Sequence, residues 1–519
     1  MHDYVIVGAG SAGCVLAARL SEDPSVSVLL LEAGGRDRKR EIRIPAAFSK
    51  LYRSEVDWDY ATTPQEGLDG RAVYVPRGKV LGGCSSINAQ MVIRGRRADY
   101  DGWAAAGAEG WSWEGVLPYF DRSRGPFELA ELRDPNALTG AFVEAAQEAG
   151  VASCADLNAA EPDGVGHVRV SQRRGRRWSV VDGYLRPALR RPNLTVLTDA
   201  HATRLLVEDG RAVGVAYLLE GRAHEARARR EVVLAGGTIN TPQLLLLSGI
   251  GPDEELKRVG IEPVHELPGV GRNLQDHLAA AVLAATTTNG TLFAAESVRS
   301  IGRYLLLRRG LLTSNVAEAA AFVRSTPDVE LPDLELVFAP VLFMDEGLTP
   351  PSQHGITIGA VALQPRSVGW VGLRSADPLD APLIETRYLS DAEGADLRVL
   401  VAGLRLARRI LAAPPLARHV GEELIPGAQA DSDDELAASV RERAQTLYHP
   451  VGTCRMGVDD GAVVDPELRV RGVDALRVVD ASVMPRVPRG HTNWPTVMIA
   501  EKAADLIRRA DRVTAYRGS

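Results

Sequence analysis

Apolar and polar positions sort this chain into two kinds of sheet. Residues 4–7 are apolar at every position, as in a strand covered on both faces. They run into Gly8-Ala-Gly10-Ser-Ala12-Gly13, and then Cys14, Val15, Leu16, Ala18 and Leu20 form the apolar, small-residue face of a helix. Residues 26–31 are a second apolar strand, ending at Glu32. Further on, 138–149 has helical periodicity. Residues 193–198, 203–207, 212–219 and 223–229 look like short strands joined by turns such as Glu208-Asp-Gly210, a β-meander. Residues 231–235 form another buried strand, ending in Gly236-Gly237, and a helix follows with Pro242 near its start and Gly251 beyond its end. From about 280 the pattern changes. Runs at 334–338, 356–363 and 369–373 predict an antiparallel sheet with one exposed face. Helices are expected over 397–411, from an acidic start at 431–436, and over 497–507, with a strand at 476–479 running into Asp480.

Two domains of different construction follow: an α/β unit with a parallel sheet, and a unit built on an antiparallel sheet. At 519 residues the chain is too long for one simple core. The expected division is 1–280 for the first domain with some segments of the second interspersed, 281–440 for the second, and 441–519 returning to the first. Sixty basic against 67 acidic residues, a net charge of −7, argue against a general nucleic-acid surface. Four scattered cysteines, with no CxxC pair, indicate neither a disulfide framework nor a zinc site, and no metal is expected. No stretch reaches the roughly 18–20 apolar residues that span a bilayer. No signal segment precedes the first strand, so a cytoplasmic location is expected. The tryptophans and tyrosines of 94–121 read as packing.

The candidate chemistry begins with Gly8-x-Gly10-x-x-Gly13 between strand and helix, with Glu32 nineteen residues later. Gly8 allows the turn, Gly10 lets the backbone approach a pyrophosphate, and Gly13 lets helix and strand pack closely. The helix N-terminus offers free N–H groups to phosphates, and Glu32 can accept from a ribose diol. This unit alone leaves the dinucleotide open. Gly82-Gly83-Cys84-Ser85-Ser86-Ile87-Asn88 is a second glycine-rich turn, opening on a helix candidate. Asn273-Leu-Gln-Asp276-His277 is a turn with polar side chains. Of ten histidines, His449 and His491 stand out, each in a Gly/Pro/Thr-rich loop beside a regular element.

Five motifs in order carry a resemblance over nearly the whole length. They are Gly8–Gly13 with Glu32-Ala33-Gly-Gly35, Gly78 through Asn88, Gly237 through Gly251, His449-Pro-Val-Gly-Thr-Cys-Arg-Met-Gly457, and Asp480-Ala-Ser482 through His491. The chain resembles the glucose–methanol–choline (GMC) flavin oxidoreductases. The resemblance implies a Rossmann-type FAD-binding domain with a substrate domain over the flavin. FAD would be held by Gly8, Gly10, Ser11, Ala12, Gly13, Glu32 and Ala33 at the pyrophosphate and ribose. Leu81, Gly82, Gly83, Ser86, Asn88 and Ala89 would run beside the ring, with Asp480, Ala481, Asn493, Pro495 and Thr496 at the ribityl chain and ring. An alcohol CH–OH would be oxidised to an aldehyde or ketone, its hydride passing to flavin N5, with His449 as general base and His491 assisting.

Some family members link FAD covalently through a histidine in the second glycine-rich loop. The matching position is Ile87, so non-covalent FAD is expected. Choline is one substrate option, with Glu318 as the carboxylate, but Ala317 stands where an aromatic neighbour would be expected. An uncharged alcohol is favoured, and the electron acceptor (quinone, protein carrier or oxygen) stays open. A dehydrogenase leads. The alternatives are an oxygen-using oxidase, a flavin lyase or photodecarboxylase on the same scaffold, an NAD-dependent dehydrogenase, and a flavoprotein that binds partners without catalysis.

Overall fold

The computed structural model describes residues 1–517. The chain enters through β1 (His2–Val7), α1 (Ser11–Leu20) and β2 (Val28–Leu31). Helix α2 (Ala137–Glu148) and β3 (Gly164–His167) then leave for a second sheet. Strands β4 (Leu194–Leu197), β5 (Ala200–Glu208), β6 (Arg211–Leu219) and β7 (Arg222–Leu234) return to the first, and α3 (Gly237–Leu247) follows. The second sheet is completed by β8 (Leu278–Thr286), β9 (Ala319–Val323), β10 (Leu334–Ala339), β11 (Gly355–Ala362), β12 (Val420–Ile425) and β13 (Gln445–Thr446). Helix α4 (Val298–Leu307) stands between β8 and β9, and α5 (Ala395–Ala412) covers the sheet from outside. Strand β14 (Leu476–Val478) and helix α6 (Asn493–Arg517) close the first domain.

The first sheet has the order β4-β2-β1-β7-β6-β5, with β14 also pairing β7. Strands β4, β2, β1, β7 and β14 pair in parallel, and β5, β6 and β7 antiparallel. Two expectations change here. The first strand of the expected meander is the parallel edge strand β4, beside β2. The strands at 223–229 and 231–235 are one: the N-terminal half of β7 continues the meander and its C-terminal half pairs with β1. The charged step at Arg229-Arg230-Glu231 reads as a break, but these side chains are paired at the sheet's end. Arg229 reaches Asp3 at 3.2 Å, Arg230 reaches Asp511 at 2.8 Å and Glu231 binds Arg477 at 2.6 Å.

The second sheet is antiparallel throughout, in the order β12-β8-β11-β10-β9-β3, with β13 also on β8. It therefore draws strands from before 281 and after 440. The run at 369–373 does not join it; Trp370–Gly372 pairs with Leu383–Glu385 as a separate hairpin. Each sheet has its own core. The first buries Val5, Ile6, Val15, Leu30, Val233, Val478 and Ile499, and the second buries Phe142, Val282, Leu336, Ile358, Leu404 and Ile410. Trp103, Trp111, Tyr100 and Phe120 are buried, as the packing reading of 94–121 required. The second glycine-rich turn is a single 3₁₀ turn at Gly83–Ser86, not the start of a longer helix.

Candidate active site

One cavity of about 810 Å³ is lined from both sheets. At one end lie Gly8, Gly10, Ser11, Ala12, Glu32 and Ala33, and at the other His449 and His491. Gly83, Asn88, Ala89, Asp480, Ala481, Asn493 and Thr496 lie along its wall. A space of this size and these linings suits a dinucleotide plus a small substrate.

The residues present fit FAD. No side chain caps the N-terminus of α1 and no acid stands in its first turn, so its free N–H groups and positive dipole end are left for an anion. Gly10 has an ordinary φ of −80°, and a Cβ there would come no closer to the protein than 4.0 Å, at Gly83 Cα. Glu32 is buried, with Oε2 accepting from Ala9 N–H and Oε1 from Gly34 N–H, each at 2.8 Å. Burial lifts its pKa to about 7. The carboxyl thus holds the glycine loop in shape and keeps acceptor capacity for a diol. Asn493 donates to Ser11 Oγ at 2.7 Å and ties the start of α6 to the start of α1.

Five candidates do not line the cavity. Gly13 packs on β1, where a Cβ would lie 1.8 Å from Gly8 O. Leu81 donates its N–H to Gly35 O at 3.0 Å, Gly82 turns the chain at a φ of +90°, Ser86 Oγ donates to Leu81 O at 2.7 Å, and Pro495 is buried in the first turn of α6. They shape the wall rather than face the space. Asp480 has a structural share too: its carboxylate accepts from Gly237 N–H, Thr241 Oγ and Ser482 N–H, fixing the start of α3.

At the far end the structure assembles four side chains from four loops and strands. His277 Nε2 lies 3.1 Å from Leu363 O, which can only accept, so Nε2 carries a hydrogen. Burial, with His491 nearby, drives the His277 pKa down to about 3, so its Nδ1 is a bare lone pair. That Nδ1 lies 3.0 Å from His449 Nδ1. His449 must therefore donate from Nδ1, which leaves its Nε2 unprotonated. Burial first, then the neighbouring His491 and His277, hold the His449 pKa well below the usual histidine value. His449 is a neutral imidazole with a fixed tautomer, as a general base requires.

His491 stands beside it, ring centroids 4.6 Å apart. Its Nε2 meets Glu335 Oε1 at 3.1 Å. Glu335, on β10, is fully buried. A buried carboxylate on one imidazole nitrogen orients the ring and fixes which edge turns to the cavity. Asp276 holds the backbone of both inner histidines, Oδ1 accepting from His277 N–H at 2.9 Å and His449 N–H at 2.8 Å. Its Oδ2 accepts from Tyr388 and Thr446 hydroxyls. Tyr448 takes a φ of +68°, rare for an aromatic residue, and so bends the chain directly before His449.

His277, Asp276 and Glu335 escaped the sequence reading. Asp276-His277 was visible as a polar pair in a turn, and Glu335 as an acid at a buried position of an apolar strand. Neither signal names a partner. Glu318, by contrast, is no cation site. Its buried carboxylate accepts from Asn136 N–H at 2.7 Å, Thr139 Oγ at 2.6 Å and Ser314 Oγ at 2.5 Å, pinning the start of α2. All four cysteines are free, and no group of metal-ligating side chains occurs among the described residues.

The chain is similar to known proteins over nearly its whole length. The GMC oxidoreductase family matches residues 2–279 and 365–500 in its N- and C-terminal parts. The "alcohol dehydrogenase [acceptor]" of Pseudomonas putida is 45% identical, over 98% of this chain and 96% of its own. The mitochondrial choline dehydrogenase of Homo sapiens is 44% identical, over 98% and 90%. A variant of Aspergillus oryzae RIB40 formate oxidase, studied for FAD modification, superposes with a TM-score of 0.91 at 29% identity, covering 98% of both chains. With the glycine loop, the Glu32 end and the paired histidines in one cavity, the chain belongs to the GMC oxidoreductases and is an FAD-dependent enzyme acting on CH–OH groups.

Proposed function

We propose that the enzyme is a dehydrogenase of an uncharged primary or secondary alcohol, with His449 as general base and His491 assisting. The observation that carries this is the His277–His449 hydrogen bond, which leaves His449 Nε2 bare in a cavity wall. When bound, FAD supplies the acceptor for the substrate hydride. His449 Nε2 takes the hydroxyl proton, and the oxygen becomes alkoxide-like as the C–H bond opens. His491, its ring held at Nε2 by Glu335, stands beside that oxygen and assists by fixing its position. His277 and Asp276 orient the base without touching substrate. Ala279, Ala281, Leu283, Ala317, Val337 and Val361 line the cavity too, and this apolar wall with Glu318 turned away supports an uncharged alcohol over a cation.

Anaerobic mixing with a panel of primary and secondary alcohols, and with choline, tests the reading. Bleaching of the flavin absorbance by uncharged alcohols, followed by reoxidation with a quinone analogue faster than with oxygen, is the expected result. Fast oxygen reoxidation would make the enzyme an oxidase, and no bleaching by any alcohol would refute the reaction class.

FAD attachment is a separate expectation. Ile87 has no nucleophilic atom to bond the cofactor, so acid precipitation should leave the yellow colour in the supernatant. Colour retained in the protein pellet would show a covalent link elsewhere.

A further inference from the structure

Twelve large apolar side chains are exposed among the described residues, and six lie within 293–307: Phe293, Val298, Ile301, Leu305, Leu306 and Leu307. Val298 is 89% exposed and Leu306 84%. Scattered exposed leucines are ordinary, but a contiguous group is not. At about 100° per residue, Val298, Ile301, Leu305 and Leu306 of α4 share one arc about 140° wide. Tyr304 lies on the far side, buried, and donates to Arg43 O at 3.2 Å. The outward face of this helix is thus apolar, and its inward face is anchored.

The same segment is basic within an acidic chain. Arg299 and Arg303 fall in it and Arg308 and Arg309 directly after it; its one acid, Glu296, is paired with Lys50, and no Asp or Glu occurs from 297 to 317. Arg309 pairs with Asp134 at 3.2 Å, and Arg308 stacks over Tyr304 at 4.9 Å. Arg299 and Arg303 are exposed and have no acidic partner among the described residues. Exposed leucines flanked by arginines fit a surface that is apolar within and negative without, which is the headgroup boundary of an anionic bilayer. A second copy fits less well, since a two-fold contact would set the four arginines against themselves. No helix among the described residues is long and apolar enough to cross a membrane, so attachment here would be on its face.

We propose that α4 and the turn before it form a docking surface for an anionic lipid bilayer. Leu305, Leu306, Val298 and Ile301 enter the headgroup–acyl boundary, and Arg299 and Arg303 bind headgroup phosphates. The surface continues into the active site. Tyr304, Leu292 and Leu312 pack with Phe48, Tyr52, Ile87 and Val316, and these last four also line the cavity. Docking sets that wall against lipid.

The test uses the FAD-loaded enzyme in sedimentation with phosphatidylglycerol or phosphatidylcholine vesicles. Binding to phosphatidylglycerol is expected, weak on phosphatidylcholine and reversed by salt. R299Q/R303Q should weaken it about tenfold or more, and L305E/L306E should abolish it, while both variants keep the wild-type flavin spectrum and melting temperature. L306W should show tryptophan emission moving to shorter wavelength on the anionic vesicles. Absence of wild-type binding, or binding unchanged in L305E/L306E, overturns the proposal. So does a wild-type dimer that L305E/L306E splits into monomers, because the face would then belong to a second copy.

Discussion

His449→Ala is expected to slow reduction of the bound flavin by alcohol about 10²–10⁴-fold, with FAD still bound. The size follows from the site. His277 is engaged at both ring nitrogens, by Leu363 O and by His449, and the His491 ring is tied at Nε2 to Glu335, whereas His449 Nε2 is left to the cavity. The pH profile carries a second signature. A base works unprotonated, and burial with two neighbouring imidazoles lowers the His449 pKa, so the neutral form persists on the acid side of the ordinary histidine value. In the wild type kcat/KM should therefore stay level down through pH 6.5 and fall only below it. Anaerobic stopped-flow reduction across pH measures both. Near-wild-type reduction in the variant would remove His449 from the role, and an acid limb centred above 6.5 would contradict the neutral, buried base.

Gly10→Ala and Gly13→Ala should fail in different ways, though the glycines sit in one short motif. At Gly13 a Cβ would stand 1.8 Å from the carbonyl oxygen of Gly8 and 3.0 Å from its carbon. Both are backbone, so α1 must lift off β1, and G13A should lose about 3 kcal/mol or more of stability and its FAD. At Gly10 the φ of −80° suits any residue and the protein leaves 4.0 Å of room. G10A should fold with the wild-type melting temperature as apoprotein, yet hold FAD about 1–3 kcal/mol more weakly, because its methyl enters the space of the pyrophosphate. Apoprotein melts and flavin retention on a desalting column separate the two. G10A with wild-type FAD affinity would place the pyrophosphate elsewhere, and G13A with wild-type stability would deny the close packing.

Local pattern carried much of the architecture. Uninterrupted apolar runs mark strands covered on both faces, so β1, β2 and the C-terminal half of β7 stood out. Alternating runs marked β10 and β11. Local pattern misled where one strand pairs antiparallel along one half and parallel along the other. In β7 the charges of Arg229-Arg230-Glu231 look like a loop until their partners Asp3, Asp511 and Arg477 are seen, from far along the chain. It failed again at β4, whose neighbours in sequence are antiparallel while its neighbour in space is β2.

The glycine loop with Glu32, and the histidine loops at 449 and 491, were determined by the sequence, because each rests on residue types that only a few backbone or proton-transfer tasks require. The tertiary structure alone decided that these segments line one cavity, and which ring nitrogen of His449 is left without the His277 contact. His277 and Glu335 name no partner in their own segments. Their effect exists only across 172 residues to His449 and 156 to His491. A proton's position on an imidazole is set by what lies 3 Å from each ring nitrogen, and that is a property of the fold rather than of any stretch of chain.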